Sequence, residues 1–178
     1  MTSEKATPQR PAAGGALDRA AARLVAALLA RGLSVATAES LTGGLVSASI
    51  ASVAGASGTL RGAAVTYATD TKASLLGVEP ALLERHGPVH PEVAAQMARG
   101  AARVFAADVA LATTGVAGPG PHDGHAPGTG FIALHFGNTL PDETRVEAFA
   151  VEGDRNEVRE RVSALVLERA GALICLPR

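Results

Sequence analysis

Cysteine, aromatic residues and lysine are all scarce in this chain of 178 residues. The single cysteine, Cys175, excludes an intramolecular disulfide and a thiolate-rich metal site. Aromatic residues make up 3% of the sequence, and tryptophan is absent. The core must therefore be packed from Ala, Val and Leu, which requires helices and strands to approach one another closely.

Long apolar runs and an excess of charge are also missing. No stretch reaches the roughly 18 apolar residues of a membrane-spanning helix, and the N-terminus has no apolar signal segment. A net charge of −1 gives no electrostatic basis for binding nucleic acid. We expect a cytoplasmic protein that binds neither nucleic acid nor membranes, with residues 1–15 as a disordered leader and residues 16–178 as one domain.

The scarcity of lysine draws attention to one position. Of the 16 basic residues, 14 are arginine, and the two lysines are Lys5 in the leader and Lys72 in the body. Arginine does not release its proton in a protein, whereas a desolvated lysine can. Lys72 is therefore a candidate base, and the alternative is an ordinary solvated surface lysine.

Hydrophobic periodicity predicts alternating helices and strands. Helices are expected at residues 16–31, 45–53, 79–86, 91–105 and 154–173, with a further short helix that Gly77 ends. Strands are expected at residues 33–38, 60–67, 108–114, 131–136 and 144–151. The first three strands should be parallel because helices connect them, whereas the short link before the last strand predicts a hairpin. This pattern is typical of an α/β fold with a mixed, mostly parallel five-stranded sheet.

Local signals add detail to two of these helices. Thr69 or Asp70 is expected to cap the helix that ends at Gly77. The helix that begins at Pro91 should turn four side chains inward: Val93, Met97, Ala101 and Val104.

Ser40 lies on the predicted turn between the first strand and the following helix. Thr42, Gly43 and Gly44 come directly after it, where the start of a helix leaves backbone N–H groups without internal partners. A hydroxyl beside such donors is what acyl transfer requires of a nucleophile and its oxyanion hole. The alternative is a simple helix cap.

Other candidate groups fall at the same edge of the predicted sheet. Tyr67 ends the second strand and Lys72 follows it, and the third strand leads into the glycine-rich segment 115–121. The order of these glycines differs from a dinucleotide-binding fingerprint, no helix follows them, and no P-loop motif occurs. A loop rich in exposed N–H groups suits a phosphate or carboxylate, although glycine and proline also form loops without function.

Two arginines and the histidines complete the set of candidates. Arg155 and Arg159 stand on the first turns of the last helix, where an anionic partner would offset their unfavourable position in the helix dipole. The alternative is that they are solvated. His122 and His125 flank Asp123-Gly124, but further ligands for zinc are not found nearby in the sequence, so we expect no metal site.

A series of motifs in fixed order resembles the C-terminal domain family of the competence/damage-inducible protein CinA. The motifs are Glu39-Ser40-x-Thr42-Gly43-Gly44, Val65-Thr66-Tyr67 with Lys72, His86-Gly87-x-Val89, Thr114-Gly115-x-Ala117-Gly118-Pro119-Gly120, Gly128-Thr129 and Gly153-Asp154-Arg155. The resemblance runs from about residue 17 to residue 173. Departures from the family pattern are Leu41, His90 and the segment between Gly120 and Gly128.

The resemblance implies a three-layer α/β/α sandwich, a homodimer and the activity of a nicotinamide-nucleotide amidase. Such an enzyme hydrolyses nicotinamide mononucleotide to nicotinate mononucleotide and ammonia and needs no cofactor. The implied catalytic residues are Ser40, Lys72 and Tyr67. The implied residues on the phosphate side are Thr114, Gly115, Gly118 and Arg155.

Two other functions remain open from the sequence. The domain could be a non-catalytic nucleotide-binding or interaction module, in which case a ligand would bind without turnover. It could also be a serine amidase that acts on a different small amide, which a substrate panel would reveal.

Overall fold

A computed structural model describes residues 15–175, so nearly all of the predicted leader lies outside the described residues. That range contains six α-helices and five strands. The helices are α1 (Ala16–Arg31), α2 (Leu45–Ala51), α3 (Thr69–Leu76), α4 (Pro80–His86), α5 (Pro91–Phe105) and α6 (Arg155–Cys175). The strands are β1 (Val35–Glu39), β2 (Leu60–Val65), β3 (Val109–Gly115), β4 (Thr129–Phe136) and β5 (Glu143–Ala150).

The strands of the described chain form one mixed sheet in the order β2-β1-β3-β4-β5. β1 pairs in parallel with both β2 and β3, and β4 pairs antiparallel with both β3 and β5. β4 therefore runs against the other strands, which confirms the predicted hairpin. The carboxyl ends of β1, β2 and β3 meet at one edge of the sheet, as they must when helices connect parallel strands.

Helices cover both faces of the sheet, so the fold is the three-layer α/β/α sandwich that the family resemblance implied. One face carries larger side chains such as Val35 and Leu111, which pack against α1, α2 and α6. The opposite face carries alanines, among them Ala36 and Ala110, which pack against α3, α4 and α5. Alternate residues of each strand point to opposite faces, so one strand supplies both cores.

The alanine-rich face allows α5 to pack closely on its neighbours. A Cβ atom at Gly100 of α5 would lie 2.1 Å from the Leu76 carbonyl oxygen of α3, so glycine is required there. This contact fixes the position of α3, the helix that carries Lys72. The scarcity of aromatic residues is thus matched by small residues where helices meet, as expected from the composition.

The structure differs from the sequence-based expectations at two places near these helices. Ala68, rather than Thr69 or Asp70, precedes α3, and no side chain caps that helix. Val104 was expected to face inward but is 43% exposed. The last turn of α5 has reached the edge strand β2, where Phe105 packs over Gly62 instead. Among residues 15–175, no helix is both long enough and apolar enough to cross a lipid bilayer.

Candidate active site

A pocket of about 370 Å³ opens at the carboxyl edge of the sheet. The ends of β1, β2 and β3 supply its floor, and the loop between α4 and α5 supplies an apolar wall. Predicted site residues that line it are Ser40, Tyr67, Lys72, Thr114, Gly115, Gly118 and Arg155. The sequence expectation that separate βα turns converge on one pocket is therefore met by the geometry.

Ser40 and Lys72 face each other inside this pocket. The Lys72 Nζ atom lies 3.2 Å from Ser40 Oγ and donates a shorter hydrogen bond, of 2.6 Å, to the Thr66 carbonyl oxygen. A charged ammonium donates to both oxygens. A neutral amine can keep the bond to Thr66 and use its lone pair to accept the Ser40 proton, which is the geometry of a nucleophile beside its base.

Lys72 is completely buried, so the alternative of a solvated surface lysine is wrong. Burial lowers the pKa of Lys72 from 10.5 to about 8, although the nearby Asp70 carboxylate opposes the change by raising it. Desolvation, which the sequence indicated as the condition for a basic lysine, is therefore the main cause of the lowered pKa. At neutral pH a usable fraction of the amine is therefore unprotonated.

The start of α2 does not have the free N–H groups expected at Gly43 and Gly44. The Gly43 amide donates to the Ser40 carbonyl oxygen, and the Gly44 amide donates to the carboxylate of Glu39. The same carboxylate accepts from the amides of Val46 and Ser47. A buried side-chain carboxylate thus occupies the N-terminus of α2, and the prediction of an anion hole at the two glycines was wrong.

The two glycines are needed for the shape of the turn. Gly43 has φ +60° and Gly44 has φ +93°, and the Leu45 amide donates to the Thr42 carbonyl oxygen across them. Positive φ at both central positions defines a type I′ turn, which residues with a Cβ atom adopt poorly. The chain therefore folds back so that the amides after the turn reach Glu39.

Two amides of the turn keep their donors available. In the described part of the chain, the Leu41 and Thr42 N–H groups form no hydrogen bond. The Thr42 hydroxyl is not available, because it donates to Glu39 and contacts the Thr113 hydroxyl at 2.8 Å. Leu41 lines the pocket, whereas Thr42 is completely buried outside the lining and can contribute only through its backbone N–H group.

Arg155 connects two walls at the mouth of the pocket. Its Nη1 donates to the Gly118 carbonyl oxygen over 2.9 Å, and its Nη2 donates to the Tyr67 hydroxyl over 2.5 Å. Tyr67 is 57% exposed, and its hydroxyl is held by this arginine rather than by Ser40 or Lys72. The two residues therefore form the rim, while the Ser40 and Lys72 pair lies within.

Thr114 and Gly115 shape the wall on the side of β3. The Thr114 hydroxyl donates to the Pro88 carbonyl oxygen over 2.7 Å, which ties the loop between α4 and α5 to the sheet. A Cβ atom at Gly115 would lie 2.6 Å from the Thr129 carbonyl oxygen, so a side chain is excluded there by the neighbouring strand β4.

The electrostatic character of the pocket is positive. Its described lining contains Lys72 and Arg155 but no aspartate or glutamate. His122 belongs to a two-residue hairpin in which its backbone pairs with that of His125, and Asp123 and Gly124 have φ of +48° and +79°. The spacing of these histidines thus reflects a tight turn. Among residues 15–175, no three His, Cys, Asp or Glu side chains come together in a way that could hold a metal ion.

Comparison with known proteins identifies the family of this chain. A family model described as the CinA C-terminal domain matches residues 17–174. The chain belongs to the CinA C-terminal domain family. A CinA-like protein of Frankia casuarinae is 43% identical over 158 residues, which cover 88% of this chain and 36% of that protein. A putative competence-damage inducible protein of Halalkalibacterium halodurans is 47% identical over 139 residues, which cover 78% of this chain and 32% of that protein.

Solved structures of CinA proteins share the whole fold. A competence/damage inducible protein of Agrobacterium tumefaciens matches with a TM-score of 0.85 at 32% identity, covering 92% of this chain and 99% of that one. A CinA superfamily protein of Escherichia coli matches with a TM-score of 0.82 at 28% identity, covering 99% of each chain. The chain spans about a third of the length of the curated relatives described above.

Sequence reasoning missed the roles of Glu39 and Arg159. A carboxylate at the end of an otherwise apolar strand, just before a helix start, is a signal that could have identified Glu39 as a partner for the helix amides. Arg159 was considered as a partner for an anion, but its guanidinium donates to the Thr42 carbonyl oxygen. Only the folded chain brings α6 against that turn.

Proposed function

We propose that this CinA-family domain is a nicotinamide-nucleotide amidase that converts nicotinamide mononucleotide to nicotinate mononucleotide and ammonia. The observation that carries the proposal is the 3.2 Å contact between Lys72 Nζ and Ser40 Oγ inside a pocket with a cationic rim. The resemblance of the motifs supplies the substrate, and the geometry supports the chemistry of amide hydrolysis.

Ser40 is the proposed nucleophile and Lys72 the proposed base. With a pKa of about 8, about a tenth of the Lys72 amine is neutral at pH 7. The neutral amine takes the Ser40 proton as Oγ forms a bond to the carboxamide carbon, and the carbonyl oxygen becomes an oxyanion. The Leu41 and Thr42 amides are the donors best placed along the chain to stabilise that oxyanion, because they directly follow Ser40 and have no other acceptor in the described chain.

The second half of the reaction uses the same lysine. Lys72, now an ammonium, returns its proton to the departing nitrogen as the C–N bond breaks, and ammonia leaves behind an acyl ester on Ser40. Water, deprotonated by the neutral Lys72, then hydrolyses the ester to the free acid and restores the serine. Tyr67 contributes at the rim rather than in this proton transfer, because its hydroxyl is bound to Arg155.

The rim is the proposed binding site for the phosphate of the substrate. Arg155 uses one N–H on each terminal nitrogen for Gly118 and Tyr67, so its remaining N–H groups are available to a phosphate. The segment from Gly115 to Gly120 borders the same space. A substrate with a neutral amide at one end and an anionic phosphate at the other matches a pocket with an inner Ser-Lys pair and an outer arginine.

The test is incubation of the purified protein with nicotinamide mononucleotide, with the acid product followed by mass and ammonia measured in parallel. We expect turnover by the wild type and a loss of at least about a hundredfold for Ser40→Ala and Lys72→Arg. Near-normal rates for either variant would refute the mechanism. Binding without turnover by the wild type would instead favour a non-catalytic module, and turnover of other small amides only would reassign the substrate.

A further inference from the structure

The turn that carries Ser40 is held by charged side chains at two points. Glu39, fully buried at the end of β1, accepts hydrogen bonds from the Thr37 and Thr42 hydroxyls and from the Gly44, Val46 and Ser47 amides. These contacts anchor the chain after the turn. The carbonyl side of the turn requires a separate partner.

Arg159 is that partner. Its Nη2 and Nε atoms donate to the Thr42 carbonyl oxygen over 3.1 Å and 3.3 Å, and its Nη1 donates to Asn156 one turn earlier on α6. Arg159 is not part of the pocket lining, so it reaches the turn from outside the site. Its contact is with the backbone of the turn and not with the space where a ligand would lie.

We propose that Arg159 is a positioning residue that fixes the peptide between Thr42 and Gly43 and thereby the nucleophile turn. That peptide carries the Thr42 carbonyl on one side and, on the other, the Gly43 N–H, which donates to the Ser40 carbonyl oxygen over 3.0 Å. Rotation of this peptide would break both contacts at once. Loss of both contacts would release the short segment between Ser40 and Gly43, which carries the Leu41 and Thr42 amides assigned to the oxyanion.

Glycine makes this restraint necessary. Gly43 and Gly44 give the turn its positive φ values, but glycine also leaves the backbone freer to rotate than any other residue. The Leu45 amide is the other donor to the Thr42 carbonyl, and it belongs to the same flexible turn. Arg159 is anchored on the long helix α6, so it supplies a donor whose position does not depend on the turn itself.

The experiment measures the rate at which a fluorophosphonate labels Ser40, because this probe reports an activated serine and its oxyanion site without the natural substrate. The inference rests on the proposed role of Ser40, but labelling is independent of the assignment of nicotinamide mononucleotide. Labelled protein that fails to hydrolyse the nucleotide would refute the substrate and leave the inference open to measurement. The variants are Arg159→Gln, Arg159→Lys and, as a matched control on the same helix, Arg161→Gln.

We expect Arg159→Gln to slow labelling by about tenfold or more, because small displacements of a reacting group have large effects on rate. Arg159→Lys should recover part of the rate, and Arg161→Gln should match the wild type, since Arg161 is exposed. With nicotinamide mononucleotide, the loss should fall on kcat and leave KM within about twofold. Thermal unfolding of each variant checks that the fold is kept.

Two results would overturn the inference. One is a folded Arg159→Gln variant that is labelled as fast as the wild type. The other is an Arg161→Gln variant whose labelling slows as much as that of Arg159→Gln. If Arg159→Gln does not fold, the comparison passes to Arg159→Lys, which keeps the charge and loses the second hydrogen bond. If Arg159→Lys were then labelled as fast as the wild type, the positioning role of Arg159 would be overturned. A wild-type protein that the fluorophosphonate does not label at Ser40 would overturn the inference as well.

Discussion

Lys72 combines complete burial with a titratable amine whose polar contacts are the Thr66 carbonyl oxygen and the Ser40 hydroxyl. A reduction of its pKa from 10.5 to about 8 corresponds to about 3 kcal/mol against the charged form. A methionine would fill the same space without that cost. The presence of lysine therefore favours a chemical role over a structural one.

The rate of amide hydrolysis should rise with pH through the pKa of Lys72. The proposed base acts when it is neutral, so kcat/KM should be half-maximal near pH 8 and level off above it. Ammonia release from nicotinamide mononucleotide between pH 6 and pH 9.5 measures this profile. Lys72→Arg should lack the rise, because its guanidinium stays charged throughout. A rate that falls between pH 7 and pH 9 would contradict the assignment.

Lys72→Met should abolish activity and leave the protein at least as stable as the wild type at pH 7. The substitution removes the desolvation cost of about 3 kcal/mol and leaves the Thr66 carbonyl without its donor, which costs about 1–3 kcal/mol. Between pH 8 and pH 10.5, Lys72 of the wild type is mostly protonated in the unfolded chain but mostly neutral in the folded chain. The free energy of unfolding of the wild type therefore rises with pH across that window. Urea unfolding should show that the stability of Lys72→Met relative to the wild type is lower at pH 9.5 than at pH 7. A variant that is less stable by more than about 2 kcal/mol at pH 7 would contradict this account.

At the scale of elements, two glycines in helix interiors have opposite surroundings. A Cβ atom at Gly100 of α5 would lie 2.1 Å from the Leu76 carbonyl oxygen, whereas at Gly171 of α6 the nearest atom would lie 3.9 Å away. Gly100→Ala should therefore force α5 away from α3, with a loss of about 2 kcal/mol or more and reduced activity, because α3 carries Lys72. Gly171→Ala should gain up to about 1 kcal/mol, since alanine favours a helix.

Thermal unfolding and activity of the two alanine variants, measured side by side, test this contrast. The pair is matched in chemistry, so any general effect of alanine on helix formation appears in both. Equal stability changes of the same sign would show that the contact between α5 and α3 does not demand glycine.

Helices and strands were predictable because their signals lie within short segments. The pattern at residues 16–31 and the Gly32 stop define α1 completely, and Pro91 marks the start of α5. The turn after Ser40 was not predictable in the same way. Two glycines before a helix are equally compatible with open amides and with a type I′ turn, and the choice depends on the buried Glu39 carboxylate.

At the scale of the whole molecule, the proximity of Ser40 and Lys72 could be inferred from topology. Parallel strands joined by helices place successive βα turns at one edge, so residues 32 positions apart meet. The contact of Arg159 with Thr42 spans 117 positions and depends on how α6 crosses the first face. No periodicity in the sequence contains that information, because it arises from packing between layers.

Asp108, at the start of β3, links separate segments of the chain at the edge of the sheet that lies away from the pocket. Its carboxylate accepts hydrogen bonds from the amide and hydroxyl of Ser34, the side chain of Asn138 and the hydroxyl of Thr139. One side chain thus connects the entrance of β1 to the link between β4 and β5. Burial by itself would raise the pKa of Asp108, but these hydrogen bonds hold it well below its ordinary value.

Asp108→Ala should destabilise the fold by about 1–3 kcal/mol, because several partly buried hydrogen bonds to one carboxylate are lost together. Activity per folded molecule should be unchanged, since the residue lies at the edge away from the pocket. The lowered pKa means that this stabilisation is present above the unfolded value near 4 and is lost as pH falls through the folded value. Urea unfolding should therefore show that the difference in free energy of unfolding between wild type and variant is smaller at pH 3 than at pH 7. A difference that stays constant to pH 3 would mean that folding does not lower the pKa of Asp108. A loss of kcat in the folded variant would mean that the two edges of the sheet are coupled.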